Sequence, residues 1–388
     1  MKVLMTCDAV GGVWQYASDL AGALMGQGVE VVLVVLGPFD EARHPGLEPG
    51  SSVVPSDELG NEVPRSGRAW MPAQGRHDGI QLIRTNLPLD WLATGPDDVL
   101  NAGRAIAALA ADHRVDLVHL NAPALAAGGP FPAPVVAVAH GCVGTWFAAT
   151  DGSAPPAELA WHRQLMLAGL LAADAVIAPS ASYAAAVQRH YDLPATPVTV
   201  HNGRALAMAP SGASADHVFT AGRLWDRAKN ASLLDAVAAR LPAPLRAAGP
   251  VTGPHGESIA PEHLHLVGTL DVDALAGEYA AGPIFVSAAR FEPFGLAVLE
   301  AAQAGCPLIL SDIDTFRELW TGAALFVGGD DPTAWVAAIE RVRADPGLRA
   351  HLGEAARTRA ARYTVEAMAA GTLAIYRALL AEPVRAAA

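Results

Sequence analysis

The sequence predicts an α/β protein of two doubly wound, Rossmann-like domains, and three observations carry that expectation. Short β-branched runs alternate with Ala- and Leu-rich stretches of helical length along the chain. The runs are continuously apolar, which marks strands buried on both faces of a parallel sheet. With 388 residues, 52% of them hydrophobic, the chain also exceeds a single domain of roughly 100–200 residues and can fill two cores.

In chain order, strands are expected at 2–6, 30–36, 80–84, 115–120, 134–139, 175–178 and 197–200. The pattern repeats at 217–221, 264–267, 283–287, 307–311 and 323–327. Helices are expected between them, notably at 14–25, 231–241, 295–305 and 365–380. The seam lies near 202–215, where Asn202-Gly203 precedes the linker-like Ala207-Met208-Ala209-Pro210-Ser211-Gly212. This divides the chain into domains 1–205 and 206–364, with a last helix at 365–382 placed to pack back on the first. Segment 37–79 is rich in Pro, Gly and charge, and far exceeds an ordinary βα connection of roughly 2–6 residues. Its composition suits a long binding loop and a surface excursion equally.

Composition excludes several classes. Lys and Arg number 26 against 39 acids, a net charge of −13, whereas a nucleic-acid partner calls for a basic face. The longest stretch without Asp, Glu, Lys or Arg, 117–150, is broken by Pro123, Gly128, Gly129, Pro130, Pro132 and Pro134. No lipid-facing helix accommodates that set. After Lys2, only Val3-Leu4-Met5 precedes Thr6, too little for a signal-peptide core. A cytoplasmic protein without a transmembrane segment is therefore expected. Cys7, Cys142 and Cys306 are too few and too scattered for a disulfide framework or a metal quartet.

Ligands of doubly wound sheets bind at strand carboxyl ends, and four constellations fall there. After the run at 283–287 comes Arg290-Phe291-Glu292-Pro293-Phe294-Gly295-Leu296, with Glu300 inside the helix that Gly295 opens. A helix start offers free N–H groups to anions or hydroxyls, and both acids lie within reach of a ligand there. Isolated acid pairs are usually solvated, but Phe294, Leu296 and their small neighbours argue against a solvated face here. Next, Arg223 follows the run at 217–221 and Lys229 precedes a helix; a forked guanidinium and a point-charge ammonium suit a phosphate pair. Third, Gly11-Gly12 follows the first strand, although neither G-x-G-x-x-G nor a P-loop is present; two glycines allow close backbone approach to a ligand or merely a tight turn. Fourth, His140 ends the run at 134–139, while His119, inside its own strand, reads as a packed or hydrogen-bonded core residue.

Together these residues resemble glycosyltransferase family 4, retaining enzymes of the GT-B fold. Supporting matches are Asp174-Ala175-Val176-Ile177-Ala178-Pro179-Ser180, Val200-His201-Asn202-Gly203 and Arg317-Glu318-Leu319. The resemblance covers essentially the whole chain and implies two domains facing each other across a cleft. It implies Arg223 and Lys229 on the donor diphosphate, Glu300 on the ribose, Glu292 on sugar hydroxyls, and the backbone around Phe294, Gly295 and Leu296 cradling sugar and phosphate. Gly12 would admit phosphate or acceptor; Gly11, Gly12, Trp14 and His140 would serve the acceptor side, His140 also facing the reacting carbon. Arg204 departs from the family, which often continues Asn-Gly with a small apolar residue and an acid; nothing catalytic is expected to depend on it.

The implied reaction is hexosyl transfer from a nucleotide diphosphate sugar (a UDP-sugar first, GDP-mannose second) to a hydroxyl acceptor, without cofactor or metal. A GT-B epimerase, a phosphorylase-like enzyme and a non-catalytic nucleotide-sugar-binding subunit are the alternatives. Asp271-Val272-Asp273 and Asp312-Ile313-Asp314 both read D-x-D, the metal-holding pattern of the GT-A fold. Their positions before predicted helices instead suit caps and turns. Relatives that work at membranes use a basic amphipathic helix, but 97–114 sets Asp97, Asp98 and Asp112 against Arg104 and Arg114 and shows no such face.

Overall fold

The structure is a computed structural model and describes residues 1–9, 11–37, 52–54, 80–205, 215–254 and 256–381. Contacts divide the chain into two units: Met1–Thr145, Ala154–Gly203 and the chain from Val365 form one, and Trp146–Ser153 with Arg204–Thr364 form the other.

The first unit is built on an eight-stranded, wholly parallel sheet. Its strands are β1 (Lys2–Asp8), β2 (Glu30–Leu36), β3 (Ser52–Val54), β4 (Ile80–Thr85), β5 (Leu117–Leu120), β6 (Val135–Val138), β7 (Ala175–Ala178) and β8 (Val198–Thr199). They lie in the order β3-β4-β2-β1-β5-β6-β7-β8. The continuous apolar runs divide by strand alternation between two covered faces. Val3, Met5, Val31 and Leu33 face Leu20 and Leu24 of α1 (Gly12–Met25). Leu4, Val32 and Val34 face Val99, Ile106 and Leu109 of α2 (Pro96–Asp112). The helices α4 (Ala160–Ala172) and α5 (Ala181–Tyr191) belong to this unit, α5 capped by the Ser180 side chain, whereas α3 (Val143–Thr150) belongs from Trp146 onward to the second.

In the second unit the strands are β9 (Val218–Ala221), β10 (Leu245–Ala248), β11 (His265–Gly268), β12 (Ile284–Ser287), β13 (Leu308–Ser311) and β14 (Ala324–Val327). They form one parallel sheet ordered β11-β10-β9-β12-β13-β14. Its helices are α6 (Ala231–Ala238), α7 (Val272–Ala280), α8 (Leu296–Gln303), α9 (Asp314–Trp320), α10 (Pro332–Ala344) and α11 (Pro346–Ala360). Phe219, Phe285 and Leu308 pack with Leu299, Phe316 and Trp320 on one face; Val218, Val286 and Ile309 pack with Leu234, Val237 and Trp335 on the other.

The last helix, α12 (Val365–Ala381), returns to the first unit, where Met368, Leu373 and Tyr376 join the α1 core. The stretch Pro346–Ala381 is, by length and composition, apolar enough to cross a membrane. It is divided near Tyr363 into α11 and α12, and each half contributes buried residues to a core.

Each sheet reverses its winding next to its first strand, between β1 and β5 and between β9 and β12. At such switch points the carboxyl ends open a crevice for ligands. Two strands differ from expectation. β10, Leu-Arg-Ala-Ala, contains no β-branched residue and is set by its pairing with β9. β3 lies within 37–79 and pairs with β4; the remainder of that segment, 38–51 and 55–79, lies outside the described residues, as does 206–214 of the expected seam. The predicted helix 231–241 stops at Ala238, and the one predicted from Gly295 runs Leu296–Gln303.

Candidate active site

In the second unit, the chain leaves β9 through Gly222 and delivers Arg223 to the carboxyl edge. A Cβ on Gly249, at φ 131°, would sit 1.8 Å from the Gly222 carbonyl oxygen, so the ends of β9 and β10 require glycine to approach this closely. Arg223 Nη2 donates to Asp226 Oδ2 at 2.9 Å. The Asp226 carboxylate is buried; its Oδ1 accepts Ala228 N at 2.9 Å and Trp146 Nε1 at 3.0 Å, capping the 3-10 turn Arg227–Lys229. Burial pushes the Asp226 acid up, but the charges of Arg223 and Lys229 and the N–H donors outweigh it and hold its pKa below the ordinary value.

Lys229 Nζ pairs with Glu292 Oε2. The two meet because Arg290 N donates to Ala228 O at 2.8 Å, joining the loop after β12 to the turn that carries Lys229. Gly295 then caps α8 at φ 94° and supplies no side-chain acceptor. A Cβ there would stand 3.2 Å from both Glu292 Cγ and Phe316 Cε1. The first turn of α8 therefore presents N–H groups beside the two cations, a seat for anionic groups. Phe294 is buried edge-on to Tyr363 and holds this turn from below, while Leu296 is half-buried.

Glu300 lies buried within α8. It is 6% exposed, and its Oε1 accepts Arg204 Nε at 2.8 Å. Tyr279 Oη donates to Oε2 at 3.4 Å; burial and then the Glu300 charge push the phenol pKa up and keep that donor protonated. Gln303 bonds the Arg204 carbonyl in turn. Arg204, the departure from the family pattern, is thus the charge partner of a proposed site carboxylate.

In the first unit, Gly11 (φ 84°) and Gly12 are exposed at the start of α1, which has no side-chain N-cap. Trp14 is 8% exposed and belongs to the α1 core. His140 stands past the carboxyl end of β6, its Nε2 2.8 Å from Asn121 Oδ1, with the Tyr16 ring edge-on at 4.4 Å. Desolvation, reinforced by His119, lowers its pKa to about 3. His119 is fully buried and hydrogen-bonded, as its position within a strand suggested, and desolvation lowers it to about 4. A cavity of about 480 Å³ opens at the opposite ends of β6 and β7, beside Val135 and Asp174; it includes none of these groups.

One aspartate of each D-x-D pair has a structural partner. Asp271 caps α7 by accepting Ala274 N at 2.8 Å. Of the turn and cap expected of Asp312 and Asp314, the N-cap position of α9 is instead Ile313, and Asp312 takes Arg317 in a fork at 2.6 and 2.7 Å.

Residues 10–206 match the model of Glycosyltransferase Family 4, and residues 257–359 match that of Glycosyl transferases group 1. The chain belongs to glycosyltransferase family 4. A D-inositol 3-phosphate glycosyltransferase of Streptomyces bingchenggensis is 31% identical over 242 residues, 53% of each chain. The lipopolysaccharide core biosynthesis mannosyltransferase LpsB of Rhizobium meliloti is 33% identical over 147 residues, 34% of this chain and 42% of its own. The chain spans about half the length of the curated relatives it matches. Sucrose-phosphate synthase from Thermosynechococcus elongatus shares the fold at TM-score 0.73 and 21% identity, over 98% of this chain and 99% of its own. HepE of Anabaena, solved with UDP and glucose, does so at 0.68 and 16%, over 98% and 100%. The fold of this family 4 member is accordingly GT-B.

Sequence reasoning missed Arg204, Asp226 and Asn121 as partners of the candidate residues. Asp226 stands three residues from both Arg223 and Lys229, and Asn121 directly follows a strand, so spacing could have flagged both. Arg204 meets Glu300 across 96 positions, and no local pattern carries that contact.

Proposed function

We propose that this chain is a retaining glycosyltransferase. In this reading it moves a hexose from a nucleotide diphosphate sugar, a UDP-sugar first and GDP-mannose second, to a hydroxyl acceptor without a metal. The observation that carries this reading is Arg223 and Lys229 set together at the carboxyl end of β9, beside the side-chain-free start of α8. Glycosyl transfer must stabilise a departing diphosphate, and fixed cations with helix N–H groups do so where charge develops. Asp226 and Glu292 hold these cations in register, and Glu292 is in position to take sugar hydroxyls as well. Glu300 serves the ribose; Gly11, Gly12 and His140 serve the acceptor and the sugar. The acceptor attacks from the leaving-group face, and the departing phosphate takes its proton, so no carboxylate acts as a nucleophile. Supporting a metal-free reaction, Asp271 and Asp312, one from each D-x-D pair, already have structural work. The named relatives make D-inositol 3-phosphate the first acceptor to try.

Thermal shift in EDTA with UDP-glucose, GDP-mannose and ADP-glucose tests the donor. Ligand at 100 times Kd stabilises by about 2.7 kcal/mol, so the UDP-sugar should raise Tm most. A panel without any shift would contradict the reading.

A further inference from the structure

Asn121 accepts from two histidines at once. Its Oδ1 lies 2.8 Å from His140 Nε2 and 3.3 Å from His119 Nε2. The amide cannot turn over, because Nδ2 donates to Thr6 O at 2.6 Å while Asn121 N donates to Thr6 Oγ1 at 2.9 Å. Turning it would set two carbonyl oxygens against each other. Oδ1 accepts only, so both imidazoles must carry their proton on Nε2. The other nitrogen of His119 agrees: Nδ1 lies 2.7 Å from Tyr376 Oη, and burial keeps that phenol protonated and donating. The chain of donors closes without conflict as Tyr376 → His119 → Asn121 ← His140.

From this we infer that Asn121 is a positioning residue that holds His140 as its neutral Nε2–H tautomer and leaves Nδ1 as a hydrogen-bond acceptor. The group it presents past β6 therefore takes a hydrogen from a hydroxyl, of sugar or acceptor, and does not act as a cation toward phosphate. The groups around the ring are Tyr16 from α1, His119 and Asn121 from the β5 strand and its end, and Tyr376 behind His119 from α12. Among the described residues, none of these is a carboxylate that would draw a second proton onto the ring. Desolvation and His119 both oppose that proton as well. The inference rests on the proposed function only for what Nδ1 meets; the tautomer follows from the network alone.

The test is nitrogen-15 NMR of the histidine-labelled full chain, with the His140 signals assigned by their loss in His140→Gln. At pH 7 and at pH 5 the expected pattern is a neutral ring protonated at Nε2. A ring protonated at Nδ1, or an imidazolium at pH 5, would overturn the inference. In Asn121→Ala the ring should populate both tautomers. UDP release from UDP-glucose should then fall by about tenfold or more in kcat, the scale on which partners that orient a functional imidazole act, while KM stays within about threefold. Tyr376→Phe leaves Asn121 in place and should keep His140 as Nε2–H while freeing only His119. A His140 tautomer unchanged in Asn121→Ala would also overturn the assignment. The NMR readout needs no donor, so failure of the donor reading leaves this test standing.

Discussion

Glu300 carries a charge at 6% exposure, a placement that costs several kcal/mol unless the charge is met. Arg204 meets it at 2.8 Å with comparably little exposure. Removing one partner strands the other, so Arg204→Met should destabilise the protein by about 3 kcal/mol or more in urea unfolding. Arg204→Met combined with Glu300→Gln should recover most of that loss, because the stranded charge is gone. Full stability in the single variant would show that the pair carries no such cost. Arg223, Glu292 and His140 are readable as candidates because each follows an apolar run, and Lys229 because it precedes a helix. Their partners were less so. A pairing across 96 positions is a property of the fold, and a departure from the family pattern gave no hint that Arg204 would reach Glu300.

At the scale of elements, β5 and β6 carry two imidazoles that the fold keeps neutral, and this couples stability to acid. His119 and His140 are lowered to about 4 and about 3, against about 6.5 in an unfolded chain. The unfolded state therefore binds more protons between those values, and the contribution is fully present above pH 6.5. It is lost as pH falls from there through 4 and 3, by at most about 1.4 kcal/mol per pH unit for each ring. Urea midpoints between pH 7.5 and 5 should fall with acidification, less steeply in His119→Gln and in His140→Gln; equal slopes in all three proteins would refute the assignment. The parallel strands themselves were readable because burial on both faces selects unbroken Val, Ile and Leu runs. β10 was not: Leu245-Arg246-Ala247-Ala248 has no such run and becomes a strand only because β9 and β11 flank it.

At the scale of the whole molecule, both sheets open crevices at their strand carboxyl ends, and in the proposed function Arg223 and Lys229 supply the charge that a metal supplies elsewhere. The most direct measurement is UDP release from UDP-glucose, with D-inositol 3-phosphate as first acceptor, after exhaustive EDTA treatment and again with magnesium or manganese restored. Turnover should be unaffected by chelator and fall by about 100-fold or more in Arg223→Ala and Lys229→Ala. Turnover that vanishes in EDTA and returns with metal, or that survives both substitutions, would contradict the proposed function.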